Sequence, residues 1–329
     1  MTTEDKVLAL YREPYDFNAM YMWAKEFMAG DITAADINGF VGAINELATP
    51  LRPDADLTRA IDVSGTGGDG LKTINVGTVA SFVMAAAGLT VGKQSAPGYT
   101  GVMGSLGFLS ELGIAVKLAD GDAREFEQRI EKSHLAFYSH TAFNQNFVNQ
   151  RRFMTELKEQ GTVFITPVHL LFWIYNPLPL KYRVYGMFTD KYLPEVAEAF
   201  RRQGIKRGWV VNGAGGMDEV SVLGPTKVVE FDSNGLSEFE VEPADFGVTT
   251  VGLGAITVSD AQDAVLKATL VLRGEDQGAL RDLVAINAGA GLYLAGQAPT
   301  LREATEIAIK TLESKAAWRK YEEYRVSLS

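Results

Sequence analysis

The stretch AIDVSGTGGDGLKTINVGTVASFVMAAAGLTVGK, residues 60–93, decides the fold. Ala60-Ile-Asp-Val is a short apolar, β-branched run and reads as a strand. Thr78 to Gly88 is a small-residue run of helical length, and Leu89 to Lys93 reads as a second strand. Strand, helix and strand in this order make a βαβ unit, the crossover that parallel strands require. Between the first strand and the helix lie Gly65, Gly67, Gly68 and Gly70. Glycines at a strand's end let backbone N–H groups close on an anion, and a helix N-terminus nearby adds its positive end. The loop is expected to hold phosphate. Gly65, Gly67 and Gly70 also fit G-x-G-x-x-G, but that dinucleotide fingerprint needs an acid about 20 residues on to hold a ribose hydroxyl. Nothing from Thr73 to Gly92 is charged.

Downstream, strand-like runs at 135–138, 183–188, 208–212 and 227–231 alternate with helical patterns. Such alternation predicts an α/β fold with a mostly parallel central sheet flanked by helices on both faces. The end of the chain returns to helix over 259–273, 278–296 and 301–324. Upstream, 16–48 is helical: Thr33 and Asp36 have the spacing of a capping box, and Ile37, Phe40, Val41, Ile44 and Leu47 share one face. Pro50 and Pro53 stop it. The expected division is a small helical N-terminal domain over 1–55, completed by a segment around 150–180, and an α/β domain over 56–329 that carries the phosphate loop.

Composition narrows the function. The 329 residues include no cysteine, which excludes a disulfide scaffold, a thiolate nucleophile and zinc–thiolate sites. A formal charge of −10 and the absence of any basic run argue against nucleic acid as a partner. Two charge-poor windows, 73–92 and 160–180, are broken by polar residues or by Pro167, Pro177 and Pro179, so no membrane span is expected. The N-terminus has early acids and no apolar core, and the chain is expected to be cytoplasmic.

A second glycine-rich turn, VVNGAGGMDEVS at 210–221, leaves a strand and ends in Asp218 and Glu219. Adjacent carboxylates there suit magnesium, which prefers one or two carboxylates plus waters and substrate phosphates. His134, His140 and His169 show no metal spacing and read as structural or surface residues. Trp173 and Tyr175 lie in an apolar run and read as core.

Taken together, GTGGDG at 65–70, Thr73 and Asn75, Lys93, GGMDEVS at 215–221, Gly224-Pro-Thr226, PADFG at 243–247 and RDLVAINA at 281–288 resemble the anthranilate phosphoribosyltransferase family. The resemblance runs with gaps from about Asn18 to the last helix. It implies a homodimer formed through the helical domain, and a cleft where phosphoribosyl pyrophosphate (PRPP) binds with Mg2+. There a small aromatic or heterocyclic amine attacks C1 of the ribose, the default acceptor being anthranilate in tryptophan biosynthesis. By position, Gly65, Thr66, Gly67, Gly68, Asp69, Thr73, Asn75 and Thr78 fall on the PRPP loop. Lys93 and Ser105 fall on a covering loop, and Asp218 and Glu219 on the metal acids. Ala96, His140 and either Arg151 or Arg152 fall on the acceptor side.

The departures point to an altered acceptor pocket. Where the family's covering loop reads K-H-G-N-R, this chain has Lys93-Gln-Ser-Ala-Pro97, and Gly77 stands where a metal-facing serine is usual. A polar G-P-L-x-N-P turn is replaced by Leu170-Leu-Phe-Trp-Ile-Tyr-Asn-Pro177. Two other readings stay open at this point: a nucleoside phosphorylase-like enzyme, and a catalytically silent paralogue that binds a phosphorylated ligand or a protein partner.

Overall fold

The computed structural model describes residues 2–12, 14–95, 102–116, 123–139, 142–143, 147–161, 170–171 and 174–327. Three helices open the chain: α1 (Thr3–Arg12), α2 (Phe17–Ala29) and α3 (Ala34–Leu47). Asp16 caps α2 by accepting the Ala19 N–H, and Thr33 with Asp36 forms the capping box on α3. The helical pattern over 16–48 is therefore two helices, parted where Gly30 turns extended. Helix α1 buries only Val7 and Tyr11, too sparse a stripe to read from sequence.

Next come β1 (Ala60–Gly65), α4 (Val76–Ala86) and β2 (Thr90–Gln94), the expected βαβ unit with its helix starting at Val76 rather than Thr78. The chain continues through α5 (Ser105–Glu111), α6 (Ala123–Ser133), β3 (Leu135–Tyr138), α7 (Phe147–Glu159), β4 (Tyr182–Gly186), α8 (Leu193–Arg202) and β5 (Arg207–Gly213). An antiparallel pair, β6 (Thr226–Asp232) and β7 (Gly235–Val241), precedes α9 (Ala261–Leu272), α10 (Ala279–Leu294), α11 (Leu301–Glu313) and α12 (Ala316–Val326). The single helix expected over 301–324 is two, split where Lys315 turns left-handed with φ 60°.

The seven strands of the described residues form one sheet in the order β3-β2-β1-β4-β5-β6-β7. The first five are parallel, and β6 and β7 extend the sheet antiparallel. Strand β7 escaped the sequence reading because nearly all of it is exposed, leaving no apolar face to detect. The winding runs outward from β1 through β2 to β3, then restarts on the other side with β4. That reversal leaves a crevice beyond the carboxyl ends of β1 and β4, where open α/β sheets bind ligands.

Helices cover both faces. On one, Phe82 of α4 packs against Phe137 of β3 and against Tyr321 and Tyr324 of α12. On the other, Tyr185, Val210 and Phe231 of the sheet share a core with Phe200 of α8, Phe40 of α3 and Phe153 of α7. Phe17 of α2 meets Phe153 with ring centroids 5.5 Å apart, so α7 packs with the N-terminal helices. Among the described residues no helix is long and apolar enough to cross a membrane.

Candidate active site

The turns that leave β1, β4 and β5 meet at the crevice, and glycine makes the meeting possible. A Cβ on Gly65, the last residue of β1, would lie 2.0 Å from Asp218 Oδ2. One on Gly186, the last residue of β4, would lie 1.6 Å from the Asp218 carbonyl oxygen. Asp218 thus presses onto two strand ends that can carry no side chain. Its Oδ2 accepts the Gly67 N–H at 2.6 Å. Thr66 stitches the loop to β4: its N–H donates to the Gly186 carbonyl at 2.9 Å, and its hydroxyl accepts the Phe188 N–H at 3.1 Å. Gly67, Gly68 and Gly70 have φ of 65°, 94° and 73°, the left-handed region. Beneath Gly68 lies the Phe188 ring, 3.2 Å from where a Cβ would stand.

Three carboxylates converge here. Oxygens of Asp69, Asp218 and Glu219 lie within 4.8 Å of one another. Asp69, expected on the PRPP loop, brings its carboxylate to Asp218 and Glu219, the pair expected to hold metal. Burial, with the Asp69 charge behind it, pushes Asp218 up to about 7. Burial and the Asp218 charge hold Glu219 well above the usual carboxylate range, and burial raises Asp69. Glu219 Oε2 is buried with no hydrogen-bond partner among the described residues. Converging like charges with an unmatched buried oxygen favour either a proton or a cation. Magnesium, which takes few carboxylates and keeps sites for phosphate oxygens, fits acids set against an anion-binding loop. From α10, Asn287 holds the turn in place: it accepts the Val220 N–H at 3.0 Å and donates to the Val220 carbonyl at 2.8 Å.

The remaining expected residues divide. Lys93 lies within strand β2, not on a covering loop, and is buried. Its Nζ is 3.3 Å from where a Cβ on Gly77 would stand, so glycine at 77 makes room for the ammonium. Burial draws Lys93 below its ordinary pKa, partly offset by Asp62, Glu219 and Asp218. Asn75, at the N-cap position of α4, donates to the Met103 carbonyl at 3.3 Å and ties the phosphate loop to the approach to α5. Thr73 donates to the Ile74 carbonyl at 3.3 Å. Ser105 is the first residue of α5 rather than part of a loop. The Thr78 hydroxyl is buried in α4 with no hydrogen-bond partner among the described residues.

The structure does not bring Arg152 to this group. Its side chain is 63% exposed, pairs with Glu156 at 2.8 Å and lies over the Tyr15 ring at 4.3 Å. Ala96, Pro97, His140, His169, Phe172, Trp173 and the Arg151 side chain lie outside the described residues. Tyr175 is buried in the core, as expected. His134 sits with its Nδ1 3.3 Å from the Thr90 hydroxyl, a structural place. Sequence reasoning gave no role to Gly186, Phe188 or Asn287. Only Asn287 left a usable signal, since an amide inside an apolar helix must find partners when buried.

The sequence profile of the glycosyl transferase family, a/b domain, matches residues 57–318. The anthranilate phosphoribosyltransferase of Rubrobacter xylanophilus is 34% identical over 293 residues, covering 89% of this chain and 82% of that one. That of Aquifex aeolicus is 33% identical over 292 residues, covering 89% and 83%. Among solved structures, the anthranilate phosphoribosyltransferase of Thermus thermophilus superposes with a TM-score of 0.81 at 30% identity, over 100% of this chain and 99% of that one. The Saccharomyces cerevisiae enzyme in complex with PRPP and Mg shares the fold at a TM-score of 0.85 and 20% identity, over 99% and 93%. With these likenesses spanning both the sheet and the turns at its carboxyl edge, the chain belongs to the anthranilate phosphoribosyltransferase family and is a glycosyltransferase of the phosphoribosyltransferase class.

Proposed function

We propose that this enzyme transfers the phosphoribosyl group of PRPP to a small nitrogen nucleophile, with Mg2+, through an acceptor pocket that differs from one built for anthranilate. The observation that carries the first part is the meeting of the glycine loop with three carboxylates, Asp69, Asp218 and Glu219, at the sheet's reversal point. The PRPP site comprises Gly65, Thr66, Gly67, Gly68, Asp69, Thr73, Asn75, Thr78, Lys93 and Ser105. Asp218 and Glu219, joined by Asp69, would hold the metal. When bound, Mg2+ neutralises charge on the departing pyrophosphate.

The chain's own residues do the rest. Loop N–H groups and the N-terminus of α4 orient the phosphates, and Lys93 lies buried nearby, its charge disfavoured by burial and favoured by Asp62, Glu219 and Asp218. An attacking ring amine is already neutral, so the site needs positioning more than a general base. The resemblance assigns the acceptor to Ala96, His140 and either Arg151 or Arg152, of which Arg152 is paired with Glu156. Gln94, where the family has histidine, is buried and donates to the Tyr175 carbonyl. We assign the helical unit to 1–55 with the segment around 150–180, and the α/β unit to 56–329, in a cytoplasmic homodimer joined through the helices.

Calorimetric titration with PRPP and Mg2+, followed by turnover assays over a panel of ring amines, tests this. Binding with pyrophosphate release supports it. Binding without turnover of any amine would make the chain a ligand-binding paralogue, and phosphorolysis of a nucleoside would make it a phosphorylase. No binding of PRPP overturns the assignment.

A further inference from the structure

Beneath the phosphate loop lies a charge pair that the proposed chemistry leaves unused. Asp62 of β1 and Arg183 of β4 are both fully buried, their side chains 3.3 Å apart. The Arg183 guanidinium lies 4.4 Å from the Phe200 ring centroid and 5.0 Å from that of Tyr185. One arm of its fork donates to Asp62 Oδ2 and the other to the Ile174 carbonyl. Asn176 donates to the same Asp62 oxygen at 3.2 Å and to the Gly92 carbonyl at 3.0 Å. It accepts from the Tyr138 hydroxyl and from the Leu178 N–H. Gln94 donates to the Tyr175 carbonyl. Segment 174–178 is therefore held by side chains or backbone of β1, β2, β3 and β4 at once.

A buried ion pair is a poor source of stability, because desolvating both charges can exceed their attraction, and apolar replacements of similar volume are often neutral or stabilising. Its best-attested use is to fix one arrangement among several. Asp62 stands three residues before Gly65 on the strand that delivers the phosphate loop, and Arg183 as close to Gly186, which Asp218 overlies. We infer that Arg183 is a positioning residue that locks segment 174–178 to the two strands bearing the phosphate and metal turns, so that occupancy of the loop orders the segment. This rests on the reading of loop 65–70 as the PRPP site.

Amide hydrogen exchange with and without PRPP and Mg2+ tests it, comparing the parent with the charge-free double variant Asp62→Asn/Arg183→Met. In the parent, exchange should slow in peptides over 65–78 and also over 174–182, the second by about tenfold, within the usual range of coupling between sites. In the double variant the first protection should remain and the second should fall to less than about twofold. Should that variant fail to fold, Arg183→Lys keeps the charge but cannot hold both partners, and the same loss is expected. Equal protection of 174–182 in the variants, or its absence in a parent that still protects 65–78, overturns the coupling. A parent that protects neither segment removes the phosphate-site reading, and this inference with it.

Discussion

Gly68 shows how far one position can be pressed. Its φ of 94° and the Phe188 ring 3.2 Å from a hypothetical Cβ leave no comfortable place for a side chain. Gly68→Val should weaken PRPP binding at least about a hundredfold by turning loop N–H groups away, while costing only about 1–3 kcal/mol of backbone strain; calorimetry and thermal melts separate the two. Gly186→Ala is a different case, because its Cβ would meet backbone, the Asp218 carbonyl. That change should destabilise the fold by about 3 kcal/mol, as forced overpacking does, and a denaturant midpoint that stays put would refute the close approach. The acids carry the opposite sign. Asp218→Asn with Glu219→Gln removes like charges that burial disfavours, so the ligand-free protein should melt higher while the Mg2+ dependence of PRPP affinity disappears. An unchanged Mg2+ dependence would place the metal elsewhere.

At the scale of elements, Asn287 is the test of how a helix supports a turn. It returns both polar groups of Val220 with its own amide, so Asn287→Ala leaves two buried backbone groups unmatched, at about 1–3 kcal/mol. PRPP-dependent Mg2+ affinity should fall as well; a loss of stability alone would confine Asn287 to the fold. The elements themselves were largely legible. Residues 60–93 announced the βαβ unit because strand, glycine loop and small-residue helix each carry their own periodicity, and the Thr33–Asp36 spacing foretold a real capping box. What stayed hidden has physical reasons. Strand β7 has no buried face. The strand at Leu89–Lys93 was legible, but the burial of the Lys93 ammonium beside Gly77 was not, because it depends on contacts far apart in sequence. Asp69 meets Asp218 from a distant part of the chain, by a fold-dependent approach that no local pattern encodes.

For the whole molecule, the sheet's reversal point gathers the glycine loop and the three carboxylates at one edge, and the sequence departs from its family chiefly at residues expected to face the acceptor, with Gly77 a further departure. A pocket that has lost charged and amide partners leaves the polar groups of anthranilate unmatched, a loss worth several kcal/mol in discrimination. Anthranilate should therefore be a poor substrate, with steady-state turnover well below about 1 s⁻¹ at saturating PRPP and Mg2+. Restoring Ala96→Asn alone should not rescue it, because Gln94 still stands where the family has histidine and is engaged by the Tyr175 carbonyl. A rate in the ordinary enzyme range would return this protein to tryptophan synthesis.

The hydrogen bond from Gly67 to Asp218 has a consequence for the order of events. Under the proposed function, that N–H would also be wanted by an incoming phosphate oxygen. A phosphate that took it would displace the carboxylate and free its charge for a cation. Each guest thereby prepares the other's lodging, and thermodynamic reciprocity requires that whatever factor Mg2+ adds to PRPP affinity, PRPP adds to Mg2+ affinity.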